Sequence, residues 1–214
     1  MDIHIQCLNA IILFFSLNPI ILAQTALYRK PKDKYTFIDF LKILSIIYIF
    51  ICICIWIIMP YNFKFNLPRE GYWYWISGGA VFVSFFIEVI ISYITLWIKG
   101  KTIKGLKVSF CFQKSSFKAI SITIAIAIFE EFIYRQVWFN ILLKDFRLNI
   151  ILVLIITSFV YSLNHMYLGK IVVFQKFSSG LIYGCLFYFS SGSIIIPIIT
   201  HCIQNVIILM KGRQ

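Results

Sequence analysis

Long apolar runs separated by short polar segments set the pattern of this chain. Each run approaches the roughly 20 residues that a helix needs to cross the hydrocarbon core of a bilayer. Seven can be marked, at about residues 5–27, 38–59, 73–98, 117–139, 149–166, 172–190 and 193–211. They predict an all-α, polytopic membrane bundle of about seven transmembrane helices, because within lipid a spanning segment must satisfy its own backbone polar groups. The first run is the weakest, since it carries Asn9 and the pair Asn18-Pro19. Its exit through Ala23-Gln24-Thr25-Ala26 resembles a signal-peptide cleavage site, but Met1-Asp2 lacks the basic start of a secretory signal, so a retained helix is expected.

Composition agrees with lipid as the solvent. Hydrophobic residues make up 61% of the chain and charged residues 13%, with a mean hydropathy of +0.90. A soluble domain carries about 45–50% apolar and about 25% charged residues. No polar stretch is long enough for a separate soluble domain, so one membrane domain is expected.

The formal charge of +12 does not indicate nucleic acid, because the basic residues fall between apolar runs and not along one face. Arg29, Lys30, Lys32 and Lys34 follow the first run. Lys99, Lys101, Lys104, Lys107, Lys114 and Lys118 follow the third, and Lys211 and Arg213 follow the last. The intervening loops carry less, with Lys64 and Arg69, then Lys144 and Arg147. The positive-inside rule therefore places the N-terminus outside and the C-terminus in the cytoplasm. The segment 99–118 alternates lysine with apolar residues and is expected to lie along the cytoplasmic surface. Tyr72, Trp73, Tyr74 and Trp75 form an aromatic belt at the opposite interface. The six cysteines form no C-x-x-C pair and are read as small buried hydrophobes.

Only eight acidic residues are present, and two of them, Glu130-Glu131, sit together inside an apolar run. A charge at bilayer depth costs about 2.5–3.5 kcal/mol on insertion scales, so such groups face protein-lined cavities and do chemistry. Helical spacing puts Glu131 and Arg135 on one face as an ion pair, while Glu130 points about 100° away, towards Tyr134 and Ala127. Glu131, beside a guanidinium, is expected to stay ionised. Glu130, beside a like charge in low dielectric, is the carboxyl suited to exchange a proton. A purely structural Glu-Arg clamp would give the same spacing.

Tyr161 and His165 are four apart at the end of the fifth run, and His201 and Asn205 are four apart in the last. Singly, these read as hydrogen-bonded helix residues or interhelical glue. Jointly, three helices supply a base, a second proton carrier or metal ligand, and donors for an oxyanion, which suits amide hydrolysis by activated water. Glu88, in the third run, pairs with a base, lines the cavity or marks helix depth; the sequence does not choose.

The three stretches resemble the motifs of the CPBP (also called Abi) intramembrane proteases, which include the CAAX prenyl endopeptidases. Glu130, Glu131 and Arg135 meet Glu-Glu-x-x-x-Arg in full. His165 meets Phe-x-x-x-His with Tyr161 in place of the phenylalanine, and His201 and Asn205 meet His-x-x-x-Asn. The resemblance spans about residues 100–211. It implies that 99–214 forms a catalytic helical core behind N-terminal transmembrane helices in 1–98. It implies further that Glu130 and His165 activate the attacking water, that His201 and Asn205 stabilise the oxyanion, and that Glu131 and Arg135 organise the site.

Glu130, His165 and His201 are also the set a zinc ion would use, as His₂Glu sites do. H-E-x-x-H is absent, and a site without an obligatory metal is favoured, with zinc left open. The partners implied are the bilayer and a peptide or protein substrate, in processing of a bacteriocin or pheromone precursor or in self-immunity, at a bacterial cytoplasmic membrane. A non-enzymatic immunity or scaffold protein of the same fold is the alternative. A small transporter is disfavoured by the lack of an internal repeat.

Overall fold

The structure is a computed structural model that describes residues 3–28, 36–60, 65–100 and 116–211. These residues are predominantly helical and include no strand. Eight α-helices occur: α1 (Ile3–Phe15), α2 (Pro19–Tyr28), α3 (Phe37–Ile58), α4 (Tyr72–Ile98), α5 (Phe117–Glu131), α6 (Ile150–Leu163), α7 (Lys170–Phe189) and α8 (Ile195–Lys211). Helix α5 runs on into π-helical turns at Phe132–Trp138 and Ile141–Asp145, and a short 3₁₀ turn, Met166–Leu168, leads into α7.

Side chains set several of the boundaries. Thr36 and Asp39 form a reciprocal capping box at the start of α3, satisfying two otherwise orphaned amides. Ser116 accepts from the amide of Ala119 to open α5, and Asn149 accepts from Ile151 to open α6. Helix α7 stops in a Schellman turn. Gly192 N–H donates to Phe187 C=O at 2.9 Å and Ser191 N–H to Tyr188 C=O at 3.2 Å. Ser191 and Gly192 both take positive φ, at 61° and 78°, which ends the helix sharply.

Helix α4 shows which solvent the fold is built for. Trp75, Phe82, Phe86, Ile90 and Trp97 form an exposed apolar stripe, while Ser77, Ser84, Glu88 and Ser92 are buried. A water-soluble helix reverses this arrangement. In lipid, small and polar residues serve as the interhelical contacts.

Helix α7 packs against α6 and α4, α5 lies between α3 and α8, and α2 leans on α3. The approach of α6 to α7 is made close by Gly180 and Gly184. A methyl group at Gly180 would lie 3.1 Å from both Cα and Cβ of Ser158, and one at Gly184 would lie 2.7 Å from Leu154 Cδ2. This is the small-xxx-small spacing by which membrane helices bring their backbones together.

Fewer than seven of the described helices reach the length and apolarity of a full span. Among the described residues, α3, α4 and α7 are long and apolar enough to cross a membrane, and α1 with α2 makes a fourth if the bent pair is one span. Helices α6 and α8 are apolar but shorter. The run 5–27 breaks at the predicted weak point, Asn18-Pro19, with a 48° bend. Asn9 does not weaken α1: it is buried and donates to Asp145 at 2.9 Å. The run 117–139 is α-helical only to Glu131, because the stretch that carries Arg135 unwinds into π turns. Most of the segment 99–118, with its expected surface placement, falls outside the described residues, as do residues 29–35.

Candidate active site

The two acidic residues close α5, and both are buried. Directly after them all seven residues of the first π turn, Phe132–Trp138, are buried. A helix enclosed on every side must satisfy its charges from neighbouring helices. Arg135 Nε lies 3.2 Å from Glu131 Oε2, with neither side chain exposed. Nη2 donates to the carbonyl of Gly180 at 3.1 Å, and the guanidinium lies over the rings of Tyr161 and Tyr183, at 4.6 and 5.4 Å. The guanidinium is therefore held by an ion, a backbone carbonyl and two aromatic faces, all of which suit its planar charge.

Glu131 has a second partner. His201 Nδ1 donates to its Oε1 at 2.8 Å, and Tyr183 stacks on the imidazole with ring centroids 4.9 Å apart. Tyr183 in turn donates to Gln204. The other imidazole nitrogen, Nε2, lies 3.8 Å from Glu130 Oε2 and 3.3 Å from the Tyr161 hydroxyl. One imidazole thus stands between two carboxylates. Glu130 points away from Arg135, as helical spacing predicts, and its Oε1 accepts from the Tyr48 hydroxyl of α3 at 3.0 Å.

His165 lies just past the end of α6 and not within it. Its amide donates to Ser162 C=O at 2.9 Å, its Nδ1 sits 3.2 Å from the Tyr161 carbonyl, and its ring meets the Tyr161 ring edge-on at 5.1 Å. A tyrosine at this position keeps the ring packing expected of a phenylalanine and adds a hydroxyl directed at His201.

Glu130, His165, His201 and Asn205 line one hollow of about 150 Å³, together with Lys176 and an apolar entrance that includes Ile20, Phe40 and Leu44. The hollow lies among the beginning of α3, the second half of α5, the turn between α6 and α7, the first half of α7 and the second half of α8. All four predicted site residues reach it, with Glu131 and Arg135 immediately behind. Among the described residues no group of three His, Cys, Asp or Glu side chains is arranged to hold a metal ion. His201 is engaged at Nδ1 by Glu131, while its Nε2 and Glu130 Oε2 stand 3.8 Å apart.

Several residues of the site escape sequence reading. Tyr48 lies in an ordinary apolar run and gives no signal. Gly180-x-x-x-Gly184 was readable as a close-approach motif. Glu88 was visible but unassigned, and it pairs with Lys176 at 3.0 Å while accepting from Ser179 and Gln204, each at 2.9 Å. Lys176 is a base inside the run 172–190, so two rare intramembrane charges of opposite sign could have been matched.

Residues 112–207 match the family described as Type II CAAX prenyl endopeptidase Rce1-like. Every motif residue named above falls inside that stretch. The resemblance to the CPBP proteases drawn from the three motifs is thereby borne out, and the family points to endopeptidase activity within the membrane. Comparison with curated proteins and with solved structures gives no match.

Proposed function

We propose that this protein is an intramembrane endopeptidase that hydrolyses a peptide bond of a membrane-associated peptide or protein by means of an activated water, without an obligatory metal. One observation carries the reading: Glu130, His165, His201 and Asn205, from three separate helical segments, line the same hollow. Glu130 and His165 hold the water, and the Glu130 carboxylate takes its proton as the water oxygen bonds to the scissile carbonyl carbon. The carbonyl π electrons move to oxygen, and that oxyanion accepts hydrogen bonds from His201 and the Asn205 amide. Collapse of the tetrahedral intermediate breaks the C–N bond, and the proton held by Glu130 passes to the leaving amine. Glu131 and Arg135 fix the imidazole and do not touch the substrate.

The apolar entrance fits a hydrophobic segment delivered from the bilayer. The start of α3 and the end of α8, which line it, adjoin in sequence the basic stretches near residues 29–34 and 211–213, which supports an opening on the cytoplasmic side with the C-terminus there as well. Maturation or clearance of a bacteriocin or pheromone precursor, or self-immunity, is the proposed setting. The test is a panel of membrane-anchored peptides, prenylated and unprenylated, incubated with the protein in proteoliposomes, with products mapped by mass spectrometry. A new carboxyl and a new amine at one defined bond are expected. Intact peptides throughout, with the protein still able to bind one of them, would favour a scaffold.

A further inference from the structure

The bond from His201 Nδ1 to Glu131 holds one edge of the imidazole but leaves the ring able to rock about that edge. Two aromatic rings restrict this motion. Tyr183 lies nearly parallel to the imidazole, with centroids 4.9 Å apart and 26° between the planes, and Tyr161 meets it edge-on at 5.8 Å. Tyr161 belongs to one of the three motifs, whereas Tyr183 belongs to none. A chain of polar contacts holds Tyr183 in turn. Its hydroxyl donates to Gln204 Oε1, and Gln204 stands three residues after His201 on α8, so the two share a helix face. Gln204 is held in one sense, because its Nε2 donates to Glu88 Oε1 at 2.9 Å. A carboxylate only accepts, so Glu88 takes the NH₂ end and turns the carbonyl end towards the phenol. Glu88 is itself fixed by Lys176 and Ser179 of α7, at 3.0 and 2.9 Å on the same oxygen.

Tyr183, Gln204 and Glu88 are all buried, and hydrogen-bonded links in a low-dielectric interior rigidify the side chains they join. Simple bonding between helices would also use such a chain. What sets this one apart is where it ends, on the face of an imidazole whose Nε2 lies 3.8 Å from Glu130 Oε2. Resting on the endopeptidase reading, we propose that Tyr183 and Gln204 are positioning residues that set the plane of the His201 imidazole for the oxyanion. Glu88 gives Gln204 its sense. Neither Tyr183 nor Gln204 lines the hollow, so both act through His201 and not on the substrate.

The test compares wild type with the double variant Tyr183→Phe, Gln204→Met. This removes the phenol hydroxyl and its acceptor together, keeps the ring and the volume, and leaves Glu88 with Lys176 and Ser179. Exchanging both partners for apolar groups of similar shape is nearly neutral for stability, so the variant is expected to fold with an unchanged unfolding midpoint. Two readouts are taken on the whole chain. One is cleavage, in proteoliposomes, of the membrane-anchored peptide that wild type cuts fastest. The other is the proton resonance of the His201 Nδ1–H in histidine-labelled protein in detergent, assigned by its loss in His201→Gln. A misplacement of about 1 Å can cost about 10²-fold in rate, so kcat should fall about tenfold at unchanged KM, and the resonance should shift. An unchanged resonance in the folded double variant would overturn the proposal whatever the rate does, and so would an unchanged kcat or a loss carried by KM alone. Absence of cleavage by the wild type would instead overturn the endopeptidase reading itself, and the positioning role with it.

Discussion

His201 donates through Nδ1 to Glu131 at 2.8 Å, and the same carboxylate faces Arg135 across 3.2 Å. A single buried carboxylate therefore ties the imidazole of α8 to the guanidinium of the π turn. Its neighbour Glu130 is left facing the hollow, held by Tyr48 at 3.0 Å. The two adjacent glutamates have distinct surroundings, one enclosed by charge partners and one at a cavity wall.

Replacing Arg135 leaves Glu131 buried without its cation. Breaking a buried pair in this way costs about 3–5 kcal/mol. Arg135→Ala should lower the thermal unfolding midpoint markedly. Arg135→Lys should recover little, because an ammonium cannot reach Glu131 and Gly180 together while lying flat between Tyr161 and Tyr183. Equal midpoints for wild type and Arg135→Lys would show that the planar contacts are unimportant.

Lys176 and Glu88 form the second buried pair, 3.0 Å apart. Lys176→Met alone should destabilise the protein by about 3–5 kcal/mol, since Glu88 is then uncompensated. The double variant Glu88→Gln with Lys176→Met should recover most of that loss in a double-mutant cycle. Additive losses would mean that the two residues act independently.

Gly180 and Gly184 separate backbone from side-chain crowding. The nearest atoms to an added methyl at Gly180 include the Ser158 Cα, whereas at Gly184 the nearest atom is the tip of Leu154. Gly180→Ala should cost about 1–3 kcal/mol, because helix α6 itself must move, and it should also reduce activity by shifting the carbonyl that holds Arg135. Gly184→Ala should cost less despite its shorter contact, since a leucine can change rotamer. The reverse order in unfolding measurements would contradict this packing.

The helical class and the break at Asn18-Pro19 were legible because hydropathy and proline report local backbone preferences. The convergence of Glu130, His165, His201 and Asn205 was legible through the resemblance that their three motifs carry, since spacing within each helix reports only which residues share a face. Span count was not, because hydropathy does not show that the run 117–139 leaves the α-helix after Glu131 for π turns. Tyr48 was not legible either, since the phenol that meets Glu130 looks from sequence like any aromatic in a lipid-facing run.

Tyr161→Phe restores the ordinary aromatic of the motif and removes the hydroxyl 3.3 Å from His201. Ring packing on His165 and Arg135 is kept. Stability should change by about 0.5–1.5 kcal/mol at most, and turnover should stay within a few-fold of wild type. Loss of turnover comparable to that of Glu130→Gln would give the hydroxyl a direct part in the reaction.

Metal removal gives an independent check on the proposed chemistry. If the water is activated by Glu130 and His165 without an obligatory metal, as proposed, cleavage should continue at its full rate after treatment with 1,10-phenanthroline. Inhibition that zinc reverses would show that these residues rearrange around an ion.

Cleavage of a membrane-anchored peptide in proteoliposomes, compared among wild type, Glu130→Gln and His165→Ala at equal folded protein, bears most directly on catalysis at the hollow. Wild type should cut at one bond, and Glu130→Gln should lose about 10²–10⁴-fold in rate with an unchanged unfolding midpoint, with His165→Ala similarly impaired. Undiminished cleavage by the folded Glu130→Gln variant would contradict a water-activating role for Glu130.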